Sequence, residues 1–144
     1  MRYVFTGPSK LGPKQARQVE QTIRSLKNVE EFTTGAAFGV DTLAYYMGVK
    51  LHPHAKHRVC VPVGHAHNDT LVQHARGFGA TIVPVHGGYR NRNEAMFDPL
   101  DPPDQTLVAF VKSLGFYRSG EWMTINIAKK LRVCVYGNEL EEEK

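Results

Sequence analysis

The chain has 144 residues, is 42% hydrophobic and 22% charged, and carries a formal net charge of +4. That length supports one domain with a substantial core, the composition is that of a soluble globular protein, and no apolar run is long enough to cross a bilayer. The last six residues, Glu139–Lys144, hold a net −3, which leaves +7 on the body and favours an anionic partner.

The elements follow one another as strand and helix. RYVFT reads as strand 1, and it starts at once, without the zones of a signal peptide, so a cytoplasmic location is expected. A Gly/Pro turn leads to a helix over Lys14–Leu26, with Pro13 at its first position. VEEFTT is strand 2, and a helix covers Val40–Val49. RVCVPV is strand 3. Asn68 or Asp69 caps a third helix, TLVQHARGFG, which ends on glycine. ATIVPV is strand 4, Arg92–Phe97 a short helix, TLVAFV strand 5, Glu121–Lys130 the last helix and LRVCVYG strand 6.

This alternation predicts an α/β fold, three layers around a doubly wound parallel sheet. The strand runs other than VEEFTT, which is more polar than a central strand should be, are β-branched and apolar, as expected where both faces are covered. The simplest strand order is 3-2-1-4-5-6, with the switch point between strands 1 and 4. One domain is expected over residues 1–138, with 139–144 a frayed acidic tail. Cys60 and Cys134 are expected to point into the core as small apolar side chains rather than to form a disulfide.

The chemistry concentrates where strands end. Tyr89-Arg90-Asn91-Arg92-Asn93 follows strand 4 and sets two guanidiniums and two carboxamides at the carboxyl edge of the sheet, where ligands bind in such folds. Arginine forms forked bonds to phosphate, and asparagine both donates and accepts. Arg90 and Arg92 are therefore expected to clamp phosphate, and Asn91 and Asn93 to orient ribose or base. The turn Thr6-Gly7-Pro8-Ser9-Lys10-Leu11-Gly12-Pro13-Lys14 nearly spells a P-loop, but Pro13 precedes Lys14 and Gln15 replaces the metal-binding hydroxyl. What survives is a small-residue turn feeding a helix terminus, with Ser9 donating to an anion or closing the turn.

After strand 2, Gly35 and Gly39 permit close backbone approach. Asp41 either complements the helix dipole or holds a ribose hydroxyl. After strand 5, Ser119 caps a helix that brings Gly120 and Glu121 to the same edge, and Trp122 either packs on that helix or stacks on a base. The histidines, His52, His54 and His57 in LHPHAKH and His65 and His67 in VGHAHN, lack metal-site spacing and read as solvated loop residues; His67 is placed to reach a ligand.

Taken together, TTGAAFGVD, YRNRNEAM and SGEWMTINIAKK make the chain resemble the SLOG superfamily, the Rossmann-like group of lonely-guy phosphoribohydrolases, the DNA-processing protein A domain and YspA-like proteins. The likeness to YspA-like proteins covers most of the chain. It implies a nucleotide or nucleotide-derived ligand, bound through Gly7, Ser9, Gly35, Ala36, Gly39, Asp41, Arg90, Asn91, Asn93, Met96, Ser119, Gly120 and Thr124. Pairing of copies through helices, as a homodimer or higher oligomer, is a further implication. The chain departs from the lonely-guy enzymes where their PGGxGTxEE segment would fall, since Arg118–Thr124 lacks the paired glycines and the Glu-Glu.

The first functional expectation is a nucleotide-binding sensor or processing domain with no obligatory cofactor and no metal. The second is an N-glycosidic hydrolase or transferase acting on a nucleoside monophosphate, with Glu121 and Asp41 as its carboxylates and Glu94 a weaker choice. The third is binding of single-stranded nucleic acid.

Overall fold

The computed structural model describes residues 1–112 and 119–143. Six parallel strands form one sheet: β1 (Arg2–Thr6), β2 (Glu31–Gly35), β3 (Lys56–Pro62), β4 (Thr81–Val85), β5 (Gln105–Val111) and β6 (Cys134–Glu139). The helices are α1 (Pro13–Ser25), α2 (Val40–Leu51), α3 (Asp69–Phe78), α4 (Tyr89–Ala95) and α5 (Ser119–Leu131), with a 3-10 turn at Pro102–Asp104. No helix among the described residues is long and apolar enough to cross a membrane.

The expected three-layer architecture is present, but the strand order is β4-β3-β2-β1-β5-β6. Strand β4 lies at the edge beside β3 rather than beside β1. Its sequence contains the reason. Pro84 cannot donate to a ladder, which confines a strand with an internal proline to an edge. The slot beside β1 goes to β5, whose QTLVAFV run is buried at six of its seven positions. The switch point therefore falls between β1 and β5.

Side-chain alternation along the central strands divides the core. Phe5, Phe32, Val108 and Phe110 face Val19, Ile23, Val40 and Ala44 of α1 and α2. Val59 and Val61 meet Tyr45 of α2 and Leu71, Val72 and Ala75 of α3. Val4, Leu107, Ala109 and Val111 point the other way, onto Met96 and Phe97 just beyond α4 and Ile125 and Ala128 of α5. Three helices cover one face and two the other.

Three local expectations change. Cys134 is exposed, because β6 is an edge strand whose core anchors are the flanking Val133 and Leu140. His52 and His57 are not solvated. His57 is 3% exposed, its Nε2 lies 3.0 Å from the His52 carbonyl oxygen, and both rings pack on Phe32. The acidic tail is docked as far as Glu143: Leu140 is buried, and Gln15 Nε2 donates to the Glu141 carbonyl at 2.9 Å.

Candidate functional site

A cleft of about 310 Å³ opens at the carboxyl edge, at the switch point. Thr6–Lys10 after β1 form one wall, and Ala37 and Asp41 at the start of α2 form another. Arg92, Asn93 and Met96 reach in from α4 and the residue after it, Lys112 from the end of β5, and Glu121 from the first turn of α5. Three cationic and two acidic side chains thus share one hollow.

Arg92 is its most unusual member. The residue is 7% exposed. Its Nε donates to Asn93 Oδ1 at 2.8 Å, and its guanidinium lies 5.7 Å from the Tyr89 ring centroid. Nη1 is buried and has no hydrogen-bond partner. Leaving a charged donor unmade in the interior costs more than an ordinary lost bond, so such a group is normally matched. Tyr89 is itself fixed, because its hydroxyl donates to the Ala66 carbonyl at 3.0 Å and its ring leans on His65.

Asp41 sits beside this guanidinium, 7% exposed. Burial pushes its carboxyl up to about 6, against the pull of Arg92 and of the Ala37 N–H, which donates to Oδ2 at 3.2 Å. Asp41 closes the turn before α2 and also lines the cleft. The turn spends its amides internally, since the Val40 N–H donates to the Pro8 carbonyl at 3.0 Å. The amino end of α2 is therefore partly occupied by the protein itself.

Two glycines make the approach possible. Gly35 has no Cβ where Arg92 and Asp41 crowd in. Gly39 has φ +78° with its Cα against the backbone of Pro8 and Ser9, a place only glycine fills without strain. Gly7 packs against Val40.

Of the residues expected at the site, the cleft gathers Gly7, Ser9, Asp41, Arg92, Asn93, Met96 and Glu121. Gly35 and Gly39 stand behind it. Ala36 and Thr124 are buried and do not line it. Arg90 is elsewhere: it pairs with Glu94 at 3.3 Å and borders a separate hollow with Met123, Asn126, Ile127, Lys129 and Lys130. Asn91 is exposed, and its Nδ2 donates to the His86 carbonyl at 3.1 Å. The cause is helical phase. Because α4 starts at Tyr89, side chains two apart diverge, whereas Arg92 and Met96 share a face.

Ser119 and Gly120 stand at the start of α5, and the Ser119 side chain, with the capping role expected of it, lies outside the described residues. Phe116, Tyr117 and Arg118 lie outside the described residues. Trp122 packs against the core with Met123, which gives the packing role. His67 pairs with Asp69 at 2.8 Å and does not line the cleft. Among the described residues no three His, Cys, Asp or Glu side chains gather as metal ligands.

Sequence reasoning misses Lys10 and Lys112 as site residues. The signal for both is position, since each lies just past a strand's carboxyl end.

No protein-family model and no curated protein matches the chain. Among solved structures it is similar to DNA processing protein A (DprA) from Streptococcus pneumoniae, with a TM-score of 0.67 and 16% identity over 94% of this chain. The chain spans about half, 49%, of that protein. The likeness shows a shared Rossmann-like fold.

Proposed function

We propose that the chain binds a phosphorylated nucleotide or nucleotide-derived ligand in the switch-point cleft, as a sensor or processing domain of the SLOG superfamily. The observation that carries this reading is the buried Arg92 with its unpartnered Nη1. A phosphate oxygen supplies the acceptor that the protein does not. Lys10 and Lys112 add positive charge around it. Asn93, 3% exposed and turned toward the same hollow, fixes the fork. The volume suits a mononucleotide-sized molecule. A cytoplasmic location and a homodimer or higher oligomer belong to the same proposal.

The similar solved structure is that of a DNA processing protein, which brings nucleic acid into consideration as the ligand. A mononucleotide and a strand of nucleic acid both present phosphate and base, so the test must separate them. Titration of the chain with nucleoside monophosphates, inorganic phosphate and single-stranded oligonucleotides does so. Mononucleotide binding weakened about 10- to 150-fold in Arg92→Ala is expected from loss of one charge-assisted bond. Oligonucleotide binding alone, falling steeply with salt, would replace the mononucleotide by nucleic acid. Ligand affinity equal in Arg92→Ala would remove the cleft from the reading.

A second reading has its own support. Asp41 and Glu121 both line the cleft, and the Asp41 carboxyl is pushed up to about 6, the range of a general acid near neutral pH. Cleavage of an N-glycosidic bond develops positive charge on the sugar, which a carboxylate stabilises. Release of free base from nucleoside monophosphates, lost in Glu121→Gln or Asp41→Asn, is the expected result. Absence of turnover across the nucleotides that bind would leave binding alone.

A further inference from the structure

Phe38 is 58% exposed, a large apolar ring turned to solvent. Single exposed hydrophobic residues are common and need no explanation by themselves. Phe38 differs in how it is held. Ala37, the residue before it, lines the cleft, and Gly39, the residue after it, has φ +78° against the backbone of Pro8 and Ser9. The turn is tied down on both sides. The Asn68 N–H donates to the Ala36 carbonyl at 2.7 Å, the Ala37 N–H to Asp41 Oδ2 at 3.2 Å, the Thr42 hydroxyl to the Ala37 carbonyl at 2.8 Å, and the Val40 N–H to the Pro8 carbonyl at 3.0 Å. The backbone thus fixes an unburied aromatic next in sequence to the cleft wall, one Cα step of about 3.8 Å from Ala37.

Among the described residues, Tyr89 and Trp122, the other aromatic side chains near the cleft, are already engaged. Tyr89 holds the Arg92 guanidinium and His65, and Trp122 packs on the core. Phe38 belongs to none of the core clusters. We propose that Phe38 is the base platform of this cleft, stacking on the nucleobase of a ligand whose phosphate lies on Arg92. The proposal rests on the nucleotide reading above and deepens it: the ligand class is base-bearing, and Phe38 is the residue that discriminates it from a bare sugar phosphate. Stacking accepts any base, so the preference is for the presence of a base rather than its identity.

The test is calorimetric titration of the intact chain with four nucleoside 5′-monophosphates, ribose 5-phosphate and inorganic phosphate, for the wild type, Phe38→Ala and Phe38→Trp. Phe38→Ala should weaken every nucleotide roughly 5- to 100-fold and leave ribose 5-phosphate and phosphate within about twofold. Phe38→Trp should keep the nucleotide affinity. Undiminished nucleotide binding in Phe38→Ala, or an equal loss for ribose 5-phosphate, would overturn the platform while leaving the phosphate site standing. A wild-type chain that binds no nucleotide would overturn the nucleotide reading and the platform with it.

Discussion

Asp41 and Arg92 meet across the bare Cα of Gly35. A Cβ there would stand 2.6 Å from both Asp41 Oδ2 and Arg92 Nη1, so opposite charges occupy space that any other residue would claim. The floor of the cleft exists because position 35 has no side chain.

Gly35→Ala should therefore disturb the site before it disturbs the fold. The added methyl must push the guanidinium or the carboxylate aside, and both are buried. Overpacking of this kind costs about 1–3 kcal/mol. A lower urea midpoint and at least a tenfold loss of phosphate-ligand affinity are expected. A variant that binds normally would mean that Arg92 has room to relax without leaving the ligand.

The raised carboxyl of Asp41 gives stability a pH dependence with a definite sign. The ordinary value is 3.8 and the folded value about 6, with burial as the leading cause. Between those values the folded chain holds a proton that the unfolded chain has released. Stability then falls as pH rises through that window and stays lower above it. A difference of about two pH units, at about 1.36 kcal/mol each, makes the loss about 3 kcal/mol. Asp41→Asn has no such titration. Between pH 4 and pH 8 the gap in unfolding free energy should move in favour of the variant by about that amount. A gap independent of pH would show that Asp41 ionises as it does in water.

The two arginines of the YRNRN run should separate cleanly. Arg92→Lys keeps a charge but loses the fork that Asn93 orients, so ligand affinity should fall about tenfold or more. Arg90→Ala removes an exposed i,i+4 pair with Glu94 and should leave both ligand affinity and stability within about 0.5 kcal/mol. Equal effects of the two substitutions would mean that the hollow bordered by Arg90 takes part in binding.

How much of this is legible in the sequence depends on the kind of signal each residue sends. Strand and helix alternation is a periodic property, and the architecture and the edge carrying the ligand loops follow from it. The place of β4 is encoded by one residue, Pro84, which a reading of apolar runs passes over. Arg92 stands out from the sequence only together with Arg90, since the choice between them depends on where α4 begins, and helix starts are among the least certain features of a sequence. Lys112 carries no motif; only the placement of β5 beside β1 brings it to the cleft. Phe38 lies inside a glycine turn, where composition gives no hint that its ring is held open.

The acidic carboxyl-terminal segment sends a misleading compositional signal. Four glutamates in its last six residues suggest a solvated end. Yet the Leu140 N–H donates to the Val111 carbonyl at 2.8 Å, and the Leu140 side chain lies in the core with Val19, Ile23 and Phe110. The Glu141 N–H donates to Gln18 Oε1 at 2.6 Å, and Glu143 Oε1 accepts from the Gln15 N–H at 2.9 Å in the first turn of α1. That carboxylate supplies the negative charge which α1 lacks at its own amino end. Leu140→Ala should lower stability by about 2–5 kcal/mol through the lost burial and the cavity left behind. Glu143→Gln, which keeps an acceptor and loses the charge, should cost no more than about 1 kcal/mol, and less at high salt. Urea unfolding of both variants checks the pair. Midpoints unchanged in Leu140→Ala would detach the segment from the core, and a larger effect from Glu143 than from Leu140 would make its attachment electrostatic rather than apolar.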